Sequence, residues 1–152
     1  MILATLCYIR HKGKTLMMHR NKRVDDLHKG KWNGLGGKFL PGESPEECVK
    51  REVNEESGLT IKEPKLKGIL LFNNFKGDNW YVFVFVANKF EGVLKENEEG
   101  ELHWIDDKEL TKLELWPSDR VFIQWLDRQG IFSAKFYYDG ESYKSEYEVS
   151  FY

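Results

Sequence analysis

Hydrophobic and polar positions along this chain alternate in short blocks rather than in long helical stripes. Ile2–Ile9 and Thr15–His19 are short β-like runs joined by the turn sequence His11-Lys12-Gly13-Lys14, and they predict a hairpin. Asn21 to Gly42 is polar, with five glycines and Pro41, and predicts mostly loop. Ser44-Pro45-Glu46-Glu47 follows, with Ser as N-cap, Pro at the first helical position and Glu at the capping-box position. A helix is therefore expected to about Ser57, stopped by Gly58. Lys65–Phe75 and Asn79–Asn88 are rich in Leu, Val, Phe and Tyr, and the turn residues between them predict an antiparallel pair of long strands. Val82, Val84 and Val86 alternate with Phe83, Phe85 and Ala87, so both faces are apolar and this strand is central. Leu102–Ile105 is another short strand, and Pro117-Ser118-Asp119 opens a helix through about Asp127. Ile131–Tyr138 and Ser142–Phe151, separated by Asp139-Gly140, predict a closing hairpin. The sum is an α+β chain: a mixed β-sheet packed between helices, with additional antiparallel hairpins. No repeat, low-complexity tract or linker interrupts it, so residues 1–152 are expected to form a single domain.

Composition narrows the class. With 41% hydrophobic and 32% charged residues, the chain can bury a core, which excludes a wholly disordered or collagenous protein. No apolar run reaches the roughly 18 residues of a membrane span. The longest candidate, Trp80 to Ala87, is strand-sized, so no membrane partner is expected. Met1 to Cys7 is apolar but lacks a basic lead-in and is broken by Arg10, so no signal peptide is expected. Cys7 and Cys48 have no metal-ligand spacing and read as reduced thiols of a cytoplasmic protein.

The net charge of −2 hides an asymmetry. Residues 1–38 hold nine Lys and Arg against two Asp, whereas the remainder holds 14 basic against 23 acidic residues. Such a division fits a nucleic-acid surface, a polyanion held with counter-cations, or two solvated faces that differ.

The first helix carries the chemistry. At about 100° per residue, Glu52, Glu55 and Glu56 fall within a roughly 100° arc of one helical face. Val49 and Val53 sit beside that arc and point to the core, so Glu52 and Glu56 flank its buried edge. Like charges at these spacings repel unless cations compensate. Carboxylate oxygens suit hard divalent cations, Mg²⁺ or Mn²⁺, which commonly also hold substrate phosphates.

The string from Gly37 to Leu59 resembles the signature of the Nudix hydrolases. Gly37, Glu43, Arg51, Glu52, Val53, Glu55, Glu56, Gly58 and Leu59 meet every fixed position across its 23 residues. The resemblance implies the Nudix fold and metal-dependent hydrolysis of nucleoside diphosphate-linked compounds. It implies metal ligation by Glu52, Glu55, Glu56 and the Gly37 carbonyl, with Mg²⁺ (or Mn²⁺) as cofactor. Glu52, or a carboxylate of the later Asn97-Glu98-Glu99-Gly100 loop, takes the general-base role. Glu99, five residues before Trp104, is the preferred member of that loop and a further metal ligand. Glu56 completes the catalytic set, while Glu43 and Arg51 orient loop and helix.

Three more stretches resemble the MutT-type branch acting on oxidised purine nucleoside triphosphates: Gly30–Lys38, Leu115–Asp119 and Ile131–Gly140. They imply conversion of 8-oxo-dGTP to 8-oxo-dGMP and pyrophosphate, sanitising the nucleotide pool. Asn33 offers a donor and an acceptor to a base edge, and Trp116 a flat face for stacking. Asp119 accepts from ring and exocyclic N–H groups, or donates if protonated. Thr5 matches a pocket position, and Arg20 and Lys38 are the expected phosphate contacts. Ser118-Asp119 departs from the paired aspartates of the vertebrate enzyme, and Leu27 stands where that enzyme has an aromatic residue. The expected partner is a small-molecule nucleotide, with no stable nucleic-acid partner because no arginine-rich tail or aromatic RNA-stacking strand is present. A monomer or small homo-oligomer is expected. The alternatives are a Nudix hydrolase of another class, acting on NTPs broadly, RNA 5′ ends or nucleotide sugars, and a binding module that does not cleave.

Overall fold

The computed structural model describes residues 1–152. In chain order the elements are β1 (Ile2–His11), β2 (Lys14–His19), β3 (Trp32–Asn33), α1 (Pro45–Ser57), β4 (Thr60–Lys62), β5 (Lys65–Phe75) and β6 (Asp78–Ala87). They continue with β7 (Lys89–Glu91), β8 (Glu101–Asp106), α2 (Pro117–Phe122), β9 (Phe132–Gly140) and β10 (Ser142–Phe151). Short 3₁₀ turns cover Asp107–Lys112 and Ile123–Trp125.

The main sheet runs β10-β9-β5-β6-β1-β2-β3, with β8 also paired to β2. It is mixed, as expected. β5 and β6 are antiparallel neighbours, and β9 and β10 form the closing hairpin. The first hairpin pairs only near its turn, from Ile9 opposite Leu16 to His11 opposite Lys14. Along most of its length β1 instead runs parallel to β6, from Ile2 opposite Trp80 to Ile9 opposite Ala87. The two-sided apolar strand β6 supplies that partner, because burial on both faces requires neighbours on both edges.

The helix α1 forms where the capping residues place it. Ser44 Oγ accepts from Glu47 N at 3.1 Å and Glu47 Oε1 accepts from Ser44 N at 3.0 Å. Gly58, at φ 81°, ends the helix in the left-handed conformation and donates its N–H to Asn54 O. The last helix is shorter than expected. It ends at Phe122 and tightens into the 3₁₀ turn Ile123–Trp125, which still delivers Phe122, Ile123 and Leu126 to the core.

Val49 and Val53 of α1 pack on one face of the sheet against Cys7, Ile9 and Phe85. On the opposite face Phe122 and Leu126 meet Tyr8, Val84, Phe132 and Phe136. Each such side chain contributes about 1.5–3 kcal/mol by leaving water, so both helices are held mainly by packing. No helix is long and apolar enough to cross a membrane.

Candidate active site

Two adjoining clefts open beside the start of β1. The first is bordered by Glu52, Glu55 and Glu56 of α1 and by Glu96, Glu98 and Glu99 of the loop before β8, with Arg20, Lys38 and Lys95 as its cations. Four elements bring these groups together: helix α1, the loop after β2 with Arg20, the loop between β3 and α1 with Lys38, and the loop before β8. The β8 loop is tied to the helix by Asn97, whose Nδ2 donates to Glu56 O at 2.8 Å while its Oδ1 accepts from Glu99 N at 2.7 Å. Sequence reasoning missed Asn97; its one available signal was its position at the start of an acidic loop.

Glu56 is the most buried of the carboxylates at 9% exposure. Burial, reinforced by the Glu52 and Glu99 charges, pushes its carboxyl up to about 8, against the opposing hydrogen bond from Gly36 N at 2.7 Å. Burial also raises the Glu52 carboxyl, and Arg51 opposes the shift. Arg51 is held by both Glu43 oxygens at 2.7 and 2.9 Å, and its Nη1 donates to Glu52 at 2.9 Å and to Glu55 at 3.2 Å. The orienting role expected of Glu43 and Arg51 is thus visible as a bidentate clamp. Glu43 is drawn down to about 2, first by its hydrogen bonds from Arg51.

Gly37 corrects one expectation. Its carbonyl accepts from Thr5 N at 2.9 Å, from Thr5 Oγ1 at 3.4 Å and from Cys48 Sγ at 3.6 Å, so it faces the sheet, not the carboxylates. The Thr5 amide takes one lone pair and holds the carbonyl against β1, away from the carboxylates. Gly36 also faces α1, through its amide on Glu56. Gly37 is required for another reason: a Cβ there would lie 2.5 Å from the Glu52 carboxyl carbon.

Arg20 is also not free. Its Nε and Nη2 bind Asp26 at 2.7 and 3.1 Å, and Nη2 reaches Glu99 at 3.2 Å. Arg23 lies 3.7 Å from the other Glu99 oxygen. Lys38 borders the acidic cleft with its ammonium 5.4 Å from the Trp80 ring centroid.

The second cleft, about 740 Å³ including its open mouth, gathers Thr5, Asn33, Trp116, Asp119 and Tyr138. Asn33 Oδ1 is buried without a partner. Asp119 is buried at the start of α2, and desolvation pushes its carboxyl up to about 7, against a 3.4 Å hydrogen bond from Ser118 Oγ. Ser118 in turn shares a 2.6 Å hydrogen bond with Tyr138. Trp116 is only 8% exposed, with Phe75 edge-on at 5.0 Å and Lys31 5.1 Å from its ring centroid. It forms the wall of the cleft rather than a free stacking platform. The Thr5 hydroxyl is directed at Gly37 and Cys48. Arg20, His28, Gly36, Gly37 and Trp80 border both clefts, which makes one continuous site.

A Nudix-domain model matches residues 2–126. The chain belongs to the Nudix family, and its fold and site define a MutT-type Nudix hydrolase. It is 34% identical over 143 residues to the Nudix hydrolase YvcI of Bacillus subtilis, covering 90% of this chain and 87% of that protein. An oxidized purine nucleoside triphosphate hydrolase of Danio rerio is 29% identical over 149 residues, covering 97% and 93%. The crystal structure of a MutT protein from Bacillus halodurans superposes with a TM-score of 0.87 at 31% identity, covering 99% and 98%.

Nudix hydrolases generally use divalent metal ions. No three His, Cys, Asp or Glu side chains are already arranged to hold one here. The donor chemistry nonetheless fits. The cleft sets six carboxylates against three cations, and two of those carboxylates are raised by burial and mutual repulsion. Mg²⁺ keeps several waters and binds through one or two carboxylates plus phosphates, so it requires no closed protein cage.

Proposed function

We propose that this hydrolase converts oxidised purine nucleoside triphosphates, 8-oxo-dGTP foremost, to the monophosphate and pyrophosphate. The observation that carries the reading is the continuity of the two clefts: the cleft that holds Asp119 and Asn33 adjoins the one bordered by Glu52, Glu55 and Glu56 of α1. The Danio rerio relative bears an oxidised-purine triphosphatase name, and the Nudix signature is complete in this chain.

Asn33 and Asp119 read the base. The unpartnered Asn33 Oδ1 and the Asp119 carboxylate are acceptors for the N–H groups of a purine, including the N7–H that distinguishes an 8-oxo base. Buried acceptors left without donors disfavour the unoxidised base, which is how such sites discriminate. Glu52, Glu55, Glu56 and Glu99 would hold Mg²⁺ or Mn²⁺, with the Gly36 carbonyl as the loop oxygen in place of Gly37. When bound, the cation neutralises phosphate charge and makes water more acidic. Glu52 or Glu99 accepts the proton of the attacking water. The water oxygen bonds to phosphorus as one P–O bond of the α–β anhydride breaks, which releases the monophosphate and pyrophosphate. Lys38 stabilises charge on the polyphosphate, and Arg20 joins it on release from Asp26 or Glu99.

The test is steady-state turnover with Mg²⁺ on 8-oxo-dGTP and dGTP. A kcat/KM at least tenfold higher for the oxidised nucleotide is expected. Equal values overturn the substrate assignment, and a wider nucleotide panel then identifies the class.

A further inference from the structure

His28 lies in the loop after β2, and it borders both the base cleft and the acidic cleft. Trp116 Nε1 donates to His28 Nδ1 at 2.8 Å. An indole nitrogen only donates, so Nδ1 must accept and the proton of the neutral ring sits on Nε2. The ring is kept neutral near physiological pH, because burial and the Arg20 charge hold it down at about 4. Its backbone is also fixed: His28 N donates to Asp26 Oδ1 at 2.9 Å, and Asp26 is gripped by Arg20.

The other residues shared by the two clefts are differently disposed. Gly36 and Gly37 present only backbone, Arg20 is held between Asp26 and Glu99, and Trp80 carries an indole N–H that has no partner but is sealed from solvent. Two shared side chains thus carry an uncommitted donor, Trp80 and His28, and of these the His28 Nε2–H is the one not sealed in the interior. In a nucleotide lying across the two clefts, the part between the base and the polyphosphate is the sugar, and every polar atom of a sugar is an oxygen able to accept.

We propose that His28 is a specificity-determining residue that donates its Nε2–H to a sugar hydroxyl of the bound nucleotide, an inference that rests on the nucleotide reading above. Trp116 sets the tautomer, and so links the wall of the base cleft to sugar recognition. A ligand lacking that hydroxyl leaves the donor unpaired.

The experiment compares 8-oxo-dGTP with its 2′,3′-dideoxy analogue on the wild-type protein, His28→Leu and His28→Gln. For the wild type, loss of the 3′-hydroxyl is expected to raise KM by about three- to tenfold with little change in kcat, the size of one neutral hydrogen bond. His28→Leu is expected to treat the two nucleotides alike. His28→Gln, with a carbonyl for Trp116 and an amide N–H for the sugar, is expected to keep part of the preference. If His28→Leu keeps the full wild-type preference, or the wild type shows none, the proposal is overturned while the nucleotide reading stands. If the wild type turns over neither nucleotide, that reading falls and the proposal falls with it.

Discussion

Replacing Asp119 by Asn separates what this carboxylate does for recognition from what it does to stability. Asp119 is 6% exposed, and desolvation moves its carboxyl from 3.8 to about 7. Below pH 4 it is protonated in both the folded and the unfolded chain and has no effect on their balance. Between pH 4 and 7 the unfolded chain releases the proton while the folded one keeps it, so stability falls as pH rises. Above about pH 7 both forms are ionised and the penalty is constant. A shift of about three units at about 1.4 kcal/mol each places that penalty near 4 kcal/mol. Asn is neutral throughout and escapes it. For a chain of this length the difference amounts to about 8–16 °C in Tm.

The assay is thermal or urea unfolding of the metal-free and nucleotide-free protein from pH 4 to 9. Asp119→Asn is expected to match the wild type near pH 4 and to gain on it steadily up to pH 7. The same variant is expected to lose about 10- to 100-fold in kcat/KM for 8-oxo-dGTP, since it replaces an acceptor carboxylate by a group that offers one acceptor and two donors. A stability difference that stays flat across this pH range would refute the reasoning, because only a titrating buried carboxylate produces the slope.

Glu56→Gln keeps the shape and the hydrogen bond from Gly36 but removes the charge; at least a hundredfold loss of kcat is expected in Mg²⁺ assays, with no fall in Tm. Arg51→Lys cannot reproduce the two-pronged grip on Glu43 or the reach to Glu52 and Glu55. Its expected signature is a Tm lowered by several degrees and a several-fold drop in kcat, read by calorimetry and steady-state kinetics. Chelation by EDTA is expected to abolish turnover and excess Mg²⁺ or Mn²⁺ to restore it; full activity in EDTA would contradict the metal-dependent reading.

What was legible in the sequence is what is local. The cap at Ser44, the stop at Gly58 and the helical spacing of Glu52, Glu55 and Glu56 are set by residues within four positions of one another, and each forms as expected. The β5–β6 and β9–β10 pairs follow from strand runs flanking turns. Illegible were the long-range choices. β1 leaves its own hairpin partner for β6, a choice made by two-sided burial and not by any turn residue. The Gly37 carbonyl faces Thr5 because Gly37 flanks the Ala4–Lys38 bridge that joins the loop to β1. His28 carries no signature, and Asn97 only its place at the start of an acidic loop. Their importance lies in long-range hydrogen bonds to Trp116 and Glu56, 88 and 41 residues away.

The charge asymmetry of the chain finds its physical meaning in the same long-range contacts. Arg20, Arg23 and Lys38 come from the basic first 38 residues, and the six glutamates of the cleft all come from the acidic remainder. Two solvated faces of opposite sign would keep these sets apart, yet Arg20 reaches Glu99 and Lys38 shares a cleft with Glu52. With more carboxylates than cations, the cleft is too anionic to accept a bare polyphosphate and too basic on one wall to be simply an acidic surface. A polyanion arriving with its own cations matches both walls at once. Of the three readings that the charge pattern allowed, the arrangement of these residues favours the polyanion held with counter-cations.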